Sequence, residues 1–366
     1  MADAVNWATR SLPTKSTNPL LAGLHLVAER TGLVLSGNDA DVSARVNLEA
    51  DVAEPGTTLI PGRLLADITK SLPSAPIEIS IDGSRAVITC GRSSFTLPTM
   101  PVADYPPLPT MPEISGSIDG ASFASAVAQV VVAASRDETL PAFTGVKIDV
   151  DGSIITLAAT DRYRLAVKEI SWTPTQTSIA TNALVPAKFL SETAKSLSSS
   201  DLVSLAFASV SEGLIGIEGA GRQTTSRMLA ADFPKYRTLL PSESSTVAQV
   251  STASLIEAVK RVSLVLEREQ PIRITFGATE ATISGGGGSG DIAEAKEFVE
   301  CATTGEEISI AFNPNFLLDG LNAIDAPVTV VSMTAAAKPA VITGAPDMDA
   351  DSQDGFKYLL MPIRQP

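Results

Sequence analysis

Residues 59–72 and residues 184–197 are two versions of one segment, placed 125 positions apart. Leu59/Leu184, Pro61/Pro186, Leu65/Leu190, Lys70/Lys195, Ser71/Ser196 and Leu72/Leu197 are identical, and Arg63/Lys188 keeps a positive charge. Each version reads as a strand end, a proline and an amphipathic helix. A repeat on this scale constrains the architecture before any short motif is weighed.

The match extends both ways. Pro19-Leu20-Leu21-Ala22-Gly23 aligns with Pro141-Ala142-Phe143-Thr144-Gly145, and Asp39 with Asp161. Asp104-Tyr105-Pro106 answers Asp232-Phe233-Pro234, and Pro109 and Pro241 close the blocks. A fainter third copy begins where Ser254, Ala258, Val259 and Val262 match Ser122, Ala126, Val127 and Val130. In it Pro314 takes the part of Pro186, and Phe316, Leu317, Leu318 and Leu321 supply the apolar stripe. A third of the 366 residues is 122, close to these offsets. The expectation is three homologous domains, 1–112, 113–241 and 242–366, each large enough to bury its own core. The boundaries fall in the proline-rich stretch 100–112 and at 241–245.

Copy two is the clearest. Residues 114–118 alternate as a short strand. Ser122 is placed to cap a helix running to about Ala134, with Phe123, Val127, Val130 and Val131 at helical spacing. Strands 146–150 and 154–158 flank Asp151-Gly152, a hairpin signal, and Asp82-Gly83 gives the same signal in copy one. Strand 165–170 follows, then 183–185 leading into a helix 186–197 whose proline suits the first turn. Strands 203–208, 214–218 and 224–229 complete the copy. Each copy therefore pairs two helices with two groups of strands, an antiparallel α+β pattern rather than alternating βαβ units.

Copy one starts late. Met1 stands opposite Phe123, so the strand that precedes the first helix at 114–118 and 247–250 has no counterpart. A truncated or misassigned start is the expectation, and the gap would leave a sheet edge open.

The net charge of -14 speaks against a nucleic-acid partner on its face, but a net value says nothing about distribution. The amino end is polar, without the apolar core of a secretory signal, and no apolar run approaches a membrane span. Cys90 and Cys301 have no metal or redox spacing, which fits free thiols in a reducing cytoplasm. The single histidine, His25, sits in the apolar run 24–27 as a strand residue, and nothing recommends it for a catalytic triad. Residues 285–290 are glycine-rich but lack a phosphate-binding lysine. They occupy the loop position that copy two fills with 160–164, and read as a flexible loop. No cofactor or metal is expected.

Cations recur on the helices. Arg63 and Lys70 are seven apart and share a helix face, and Lys188 and Lys195 repeat the pair in phase. Copy three has no such pair, but its first helix carries Lys260 and Arg261, and copy one carries Arg10 and Lys15. For one helix a solvated face explains such a pair. Repetition in an acidic chain favours a segregated basic surface that tracks a DNA backbone without reading bases. No aromatic platform interleaves these cations, which disfavours single-strand binding.

At these residues a family resemblance emerges. Leu20-Leu21-Ala22-Gly23, Leu97-Pro98-Thr99-Met100-Pro101, Asp104-Tyr105-Pro106, residues 159–166, Asp232-Phe233-Pro234-Lys235-Tyr236 and residues 358–364 resemble bacterial DNA polymerase III beta subunits, the sliding clamps, with an actinobacterial flavour. The resemblance covers essentially the whole chain except the missing first strand. It implies a head-to-tail homodimer, a ring of six clamp domains with helices inside and sheets outside. It also implies a non-catalytic processivity subunit in the cytoplasm at the nucleoid, loaded onto double-stranded DNA by an ATP-driven clamp loader. Such a ring tethers the DNA polymerase III alpha subunit, other polymerases and repair proteins through short apolar motifs.

The resemblance further implies a partner-peptide pocket between the second and third domains. Its residues would be Phe143, Thr160, Arg162, Tyr163, Arg164, Leu165, Pro234, Leu239, Val341, Leu359, Met361, Pro362, Ile363 and Arg364. Leu165, Pro234, Leu239, Leu359 and Met361 would take the partner's Leu and Phe side chains, and Arg162 and Arg164 would meet carbonyls or acidic flanks. The DNA-facing cations would be Arg10, Lys15, Arg63, Lys70, Lys188, Lys195, Lys260 and Arg261. The chain departs from many relatives at Thr238, where they carry a basic residue, and at Arg162, where some carry glycine. Gln365-Pro366 extends past Arg364. An enzyme built on one copy, or a structural assembly without DNA contact, remain the competing classes. The first lacks a convergent catalytic set and the second leaves the matched cations unexplained.

Overall fold

The computed structural model describes residues 1–15, 17–208, 213–268, 270–287, 293–350, 352 and 355–363. Copy one holds α1 (Ala2–Thr9), β1 (Gly23–Glu29), β2 (Gly32–Asn38), β3 (Val42–Leu48), β4 (Gly56–Pro61), α2 (Gly62–Ser71), β5 (Ile77–Asp82), β6 (Arg85–Cys90) and β7 (Ser93–Pro98). Copy two holds β8 (Gly116–Asp119), α3 (Gly120–Val131), β9 (Gly145–Asp151), β10 (Ile154–Thr160), β11 (Arg164–Ser171), β12 (Thr173–Pro174), β13 (Ala180–Pro186), α4 (Ala187–Ser196), β14 (Leu202–Phe207), β15 (Leu214–Gly219) and β16 (Arg222–Arg227). Copy three holds β17 (Thr246–Ser251), α5 (Thr252–Ser263), β18 (Ile272–Phe276), β19 (Glu280–Gly286), β20 (Glu294–Thr304), β21 (Ile308–Phe312), α6 (Pro314–Ala323), β22 (Val328–Met333), β23 (Ala340–Ala345) and β24 (Phe356–Leu360).

These elements form two compact units that do not follow the copies. The first comprises Met1–Gly120, Thr173–Gln176 and Ser199–Met228, and the second Ala121–Trp172, Thr177–Ser198 and Leu229–Pro366. In the first unit a nine-stranded sheet runs β12-β8-β14-β15-β16-β3-β2-β1-β4, beside a three-stranded sheet β5-β6-β7. Copies one and two join through β3 and β16, with Val46 opposite Arg222 and Val42 opposite Ser226. In the second unit a twelve-stranded sheet runs β13-β9-β10-β11-β24-β23-β22-β17-β20-β19-β18-β21. There copies two and three join in the same way through β11 and β24, with Arg164 opposite Leu360 and Lys168 opposite Phe356. Every one of these ladders is antiparallel, as the sequence pattern requires.

The hairpins fall where the turn residues put them. Asp82 pairs with Arg85 and Asp151 with Ile154, and Gly83 and Gly152 adopt positive φ values of 58° and 55°, which glycine reaches without a Cβ clash. The repeated helices also match. α2 buries Gly62, Leu65, Ile68 and Thr69, and α4 buries Ala187, Phe189, Leu190, Thr193 and Ala194. Burying Phe189 and Leu190 alone contributes about 1.5–3 kcal/mol each, which is what holds so short a helix against its sheet.

Three local expectations need correction. α3 begins at Gly120, so Ser122 lies inside the first turn instead of capping it, and the helix ends at Val131, before Ala134. Pro61 and Pro186 stand at the cap position with φ of -53° and -52°, one residue ahead of the helix. Pro314, by contrast, enters the first turn of α6, where its missing N–H costs nothing. The strand that carries the chain into Pro61 or Pro186 fixes the cap, because an extended residue must precede a proline.

Candidate partner-binding groove

The loop between β10 and β11 is built by its own short polar side chains. The Thr160 hydroxyl donates to the Arg164 carbonyl at 2.6 Å and accepts from the Arg162 N–H at 3.2 Å. The Asp161 carboxylate accepts from the N–H groups of Tyr163 and Arg164 at 3.0 and 3.1 Å. This Asx-type turn drives Arg162 to φ 79°, a left-handed conformation that costs a side chain about 1–2 kcal/mol. The strain serves presentation: Arg162 and Tyr163 are both thrust outward, and the Arg162 guanidinium lies 5.8 Å from the Phe143 ring centre.

Arg164 turns the other way. Its side chain is buried, with Nε bonded to Asp161 Oδ2 at 2.9 Å and Nη1 to Asp319 Oδ2 on α6 at 2.5 Å. The guanidinium also sits 4.3 Å over Phe316, and Tyr163 stacks on the same ring at 6.2 Å. Burial opposes the Arg164 charge, but Tyr358, Asp319 and Asp161 outweigh it and hold the guanidinium protonated beyond its ordinary range. Tyr358 is fully buried and donates its hydroxyl to the Phe316 carbonyl at 2.8 Å, and burial raises its own pKa. A Cβ at Gly320 would collide with the Tyr358 ring, so only glycine lets α6 lie this close. Arg164 thus braces the loop against α6 and is committed to internal partners. The resemblance gave Arg164 a partner's carbonyls or acidic flanks to meet, whereas here Asp161, Asp319, Tyr358 and Phe316 surround its guanidinium.

The floor lies behind this brace. Ala158, Leu165, Val167, Tyr236 and Leu359 are buried together, with Phe233, Leu240 and Val341 packed against them. Leu165 stands opposite Leu359, and Leu359 opposite Val341, so three strands set these side chains in one row. The Tyr236 hydroxyl donates to Asp149 at 2.8 Å, and Arg237 closes on the same carboxylate at 2.7 Å. Burial, then the Asp149 carboxylate, raises the Tyr236 pKa, so it stays a neutral donor.

Above the floor three apolar side chains remain open to solvent: Tyr163 is 56 % exposed, Leu239 50 % and Met361 41 %. Met361 is held by its N–H bond to the Tyr163 carbonyl at 2.9 Å, and Ile363 by a bond to the Ala311 carbonyl at 2.8 Å. Pro234 and Pro362 are half-buried. Thr160, Arg162, Tyr163, Leu239, Met361 and the floor residues are therefore gathered into one locality of the second unit. Arg364, together with Gln365-Pro366, lies outside the described residues. The sequence did not reveal Phe316, Asp319 and Tyr358 as supports of this site. No spacing links them to Arg164, since their relation exists only once α6 and β24 pack beside β11. Chemically the place joins a buried apolar floor to three exposed apolar side chains, with the Arg162 guanidinium beside the Phe143 ring at its edge.

The cations divide in a similar way. Lys15, Lys70, Lys188 and Lys195 are exposed and make no ion pair among the described residues. Arg63 donates to the Leu12 and Pro13 carbonyls at 3.4 and 3.3 Å, beyond the end of α1. Arg10 and Arg222 flank the Trp7 ring at 5.9 and 5.6 Å. On α5, Lys260 pairs with Glu257 at 3.0 Å, and Arg261 forks onto Glu297 at 2.6 and 2.7 Å, so these two are largely neutralised. No helix among the described residues is long and apolar enough to cross a membrane.

Three family models match in order: DNA polymerase III beta subunit N-terminal domain over residues 1–109, central domain over 117–235 and C-terminal domain over 237–364. The beta sliding clamp of Streptomyces coelicolor is 54% identical over 366 residues, covering 100% of this chain and 97% of that protein. Among solved structures, the DNA polymerase sliding clamp of Bacillus subtilis superposes with a TM-score of 0.91 at 26% identity, covering 100% and 97% of the two chains. The sliding clamp of Pseudomonas aeruginosa bound to griselimycin gives the same TM-score, identity and coverage.

Proposed function

Because the chain belongs to the DNA polymerase III beta subunit family, it is a sliding clamp, and we propose that it closes as a head-to-tail homodimer around duplex DNA. It acts by tethering and not by catalysis, since holding a polymerase near its template raises effective concentration without new chemistry. In this reading an ATP-driven loader opens the ring in the cytoplasm at the nucleoid. The groove around Leu165, Leu239 and Met361 then receives short apolar motifs from the DNA polymerase III alpha subunit, the loader, other polymerases and repair proteins.

One observation carries the dimer. β3 pairs with β2 on one side and with β16 on the other, and β11 pairs with β10 and with β24. β20 is the counterpart of β3 and β11, yet among the described residues its first half pairs only with β19. β7 is the counterpart of β16 and β24, and among the described residues its ladder partner is β6 alone. The edge of β7 in one chain supports pairing with the edge of β20 in a second. That heterologous contact, made twice, closes a two-membered ring. Phe298 on β20 and Leu264 beyond α5, 55 % and 84 % exposed, are the apolar groups such a contact would cover.

The free ammonium groups of Lys70, Lys188 and Lys195 support backbone tracking by counterion release. The deciding measurement loads the protein on nicked circular and on linear DNA. Persistence on circles with loss from free ends is expected. Equal retention on both would sink the ring.

A further inference from the structure

The junction of copies one and two, β3 against β16, shares its register with the junction that carries the groove, β11 against β24. Ser43 stands opposite Thr225 where Leu165 stands opposite Leu359, and Arg45 opposite Gln223 where Val167 stands opposite Lys357. The connecting segments correspond as well. The one after Asp232-Phe233-Pro234 lays Tyr236 and Leu240 on the second junction, and the one after Asp104-Tyr105-Pro106 crosses the first. A Cβ at Gly216 on β15 would come within 3.0 Å of Met111 Cγ and 3.2 Å of Pro112 Cδ, so this segment lies directly on the sheet.

The two junctions differ in what fills them. Leu165 and Leu359 pack with Tyr236 into a closed apolar floor. Ser43 and Thr225 are also buried, but their hydroxyls bond each other at 2.7 Å, and Thr224 donates to the Ser43 carbonyl at 2.7 Å. Over these short side chains opens a cavity of about 310 Å³, lined by Arg45, Gln223, Thr110, Thr225, Leu108 and Met111 among others. Among the described residues, the Arg45 guanidinium and the Gln223 amide have no ion-pair or hydrogen-bond partner.

We propose that this cavity binds a carboxylate carried on a short apolar body, the chemistry shared by small acyl amino acids and the free carboxyl end of a peptide. The Arg45 guanidinium forks onto the carboxylate, the Gln223 amide donates beside it, and Leu108 and Met111 cover the apolar part. A lone cation in a chain of net charge -14, with Glu218 opposite Gln223 on β15, suits a single negative charge and disfavours a phosphate dianion. The volume stands at the small end of the ~300–1,000 Å³ range of ligand sites. It admits a small molecule or a chain end, not a folded element. A wholly apolar motif is excluded, since it would desolvate Arg45 and Gln223 without replacing their water.

Titration of the 366-residue protein, with isotope-labelled methionine methyls, by N-acetyl-leucine tests it. Met111 reports the cavity and Met361 the groove. The Met111 methyl signal should shift saturably, with a dissociation constant of about 1 mM for so few atoms, while Met361 stays still. N-acetyl-leucinamide, which lacks the charge, should bind about tenfold or more weakly, and Arg45→Gln should cost N-acetyl-leucine a similar factor. The melting temperature of that variant should be unchanged, since the side chain bonds nothing else among the described residues. A six-residue peptide ending in a free leucine carboxylate separates the sources: tighter binding than N-acetyl-leucine assigns a chain end, and equal or weaker binding a free acid. No saturable Met111 shift up to about ten times the expected constant overturns the proposal. So does equal affinity for acid and amide, or full affinity in Arg45→Gln.

Discussion

Arg164 and Asp319 are 155 positions apart in sequence, yet Nη1 and Oδ2 meet at 2.5 Å, tying β11 to α6 beneath the exposed edge of the groove. Asp319 is 48 % exposed, so solvent screens its share, while Arg164 is 9 % exposed and depends on its partners. Asp319→Ala should cost about 1 kcal/mol, and Arg164→Ala about 3 kcal/mol or more. Arg164→Lys should fail to restore the loss, because an ammonium reproduces neither the fork nor the stacking on Phe316. Urea unfolding of the three variants gives the comparison, and an unaltered Arg164→Ala midpoint would contradict the bracing role.

Arg162 holds its outward position at a φ of 79°. Arg162→Val should destabilise by about 1–2 kcal/mol, since a β-branched residue tolerates that region worst. Arg162→Gly should stay within about 0.5 kcal/mol of the parent, as relief of strain is offset by greater unfolded-chain freedom. Equal effects of Val and Gly in thermal melts would rule out backbone strain at this position.

Peptide capture should rest on the exposed groups, not the floor. Leu239→Ala with Met361→Ala should weaken binding of a short Leu- and Phe-bearing peptide by about tenfold or more, at small cost in stability. Leu165→Ala also weakens capture, but Leu165 is 1 % exposed and its removal should cost about 2–5 kcal/mol. Calorimetric titration alongside melting separates the two classes. Full affinity in the double variant would place the docking surface elsewhere.

DNA binding should depend on the free lysines. Replacing Lys70, Lys188 and Lys195 with Ala should flatten the salt dependence of DNA affinity by about 0.9 in log-log slope for each phosphate no longer neutralised. Lys260→Ala with Arg261→Ala should change it less, since both cations already face Glu257 or Glu297. Affinity measured across a salt series decides between them.

His25 gives the fold a pH dependence of known sign. It stacks on Tyr105 at 5.4 Å, and burial holds its pKa below 6.5. Burial pushes the Tyr105 phenol up to about 12, so it stays neutral beside the ring. The unfolded chain takes up the imidazole proton first as pH falls. The contribution is therefore fully present above pH 6.5 and is lost as pH drops through 6.5 toward the folded value. His25 is the only histidine, so His25→Gln should flatten the stability profile below neutrality. Identical profiles from denaturant melts would remove His25 as the source.

Much of the fold was legible in the chain because the signals were local. The strand runs of β9 and β10, the Asp-Gly turns and the helical stripes of α2 and α4 each need only neighbours a few residues away. The start of α3 was misread for the same reason. Ser122 is a good cap by type, but the strand β8 carries the chain into the helix three residues earlier, at Gly120. For the candidate groove, the family's motifs name apolar members and two arginines alike, and nothing in those motifs separates the settings of the two arginines. Arg162 and Arg164 look alike in sequence, yet one ends exposed beside the Phe143 ring and the other inside.

Sequence alone determined that this chain is a threefold repeat of antiparallel α+β copies, since periodicity, prolines and turn residues act over a few positions and recur. It also placed the recurring cations on equivalent helix faces. Tertiary structure decided which charges remain available. Arg164 is consumed by Asp161 and Asp319, Arg261 by Glu297, and Arg63 reaches toward carbonyls beyond α1, while Lys70, Lys188 and Lys195 stay free. A side chain's partners lie across sheets and helices brought together from distant parts of the chain, and no spacing rule within one segment carries that information.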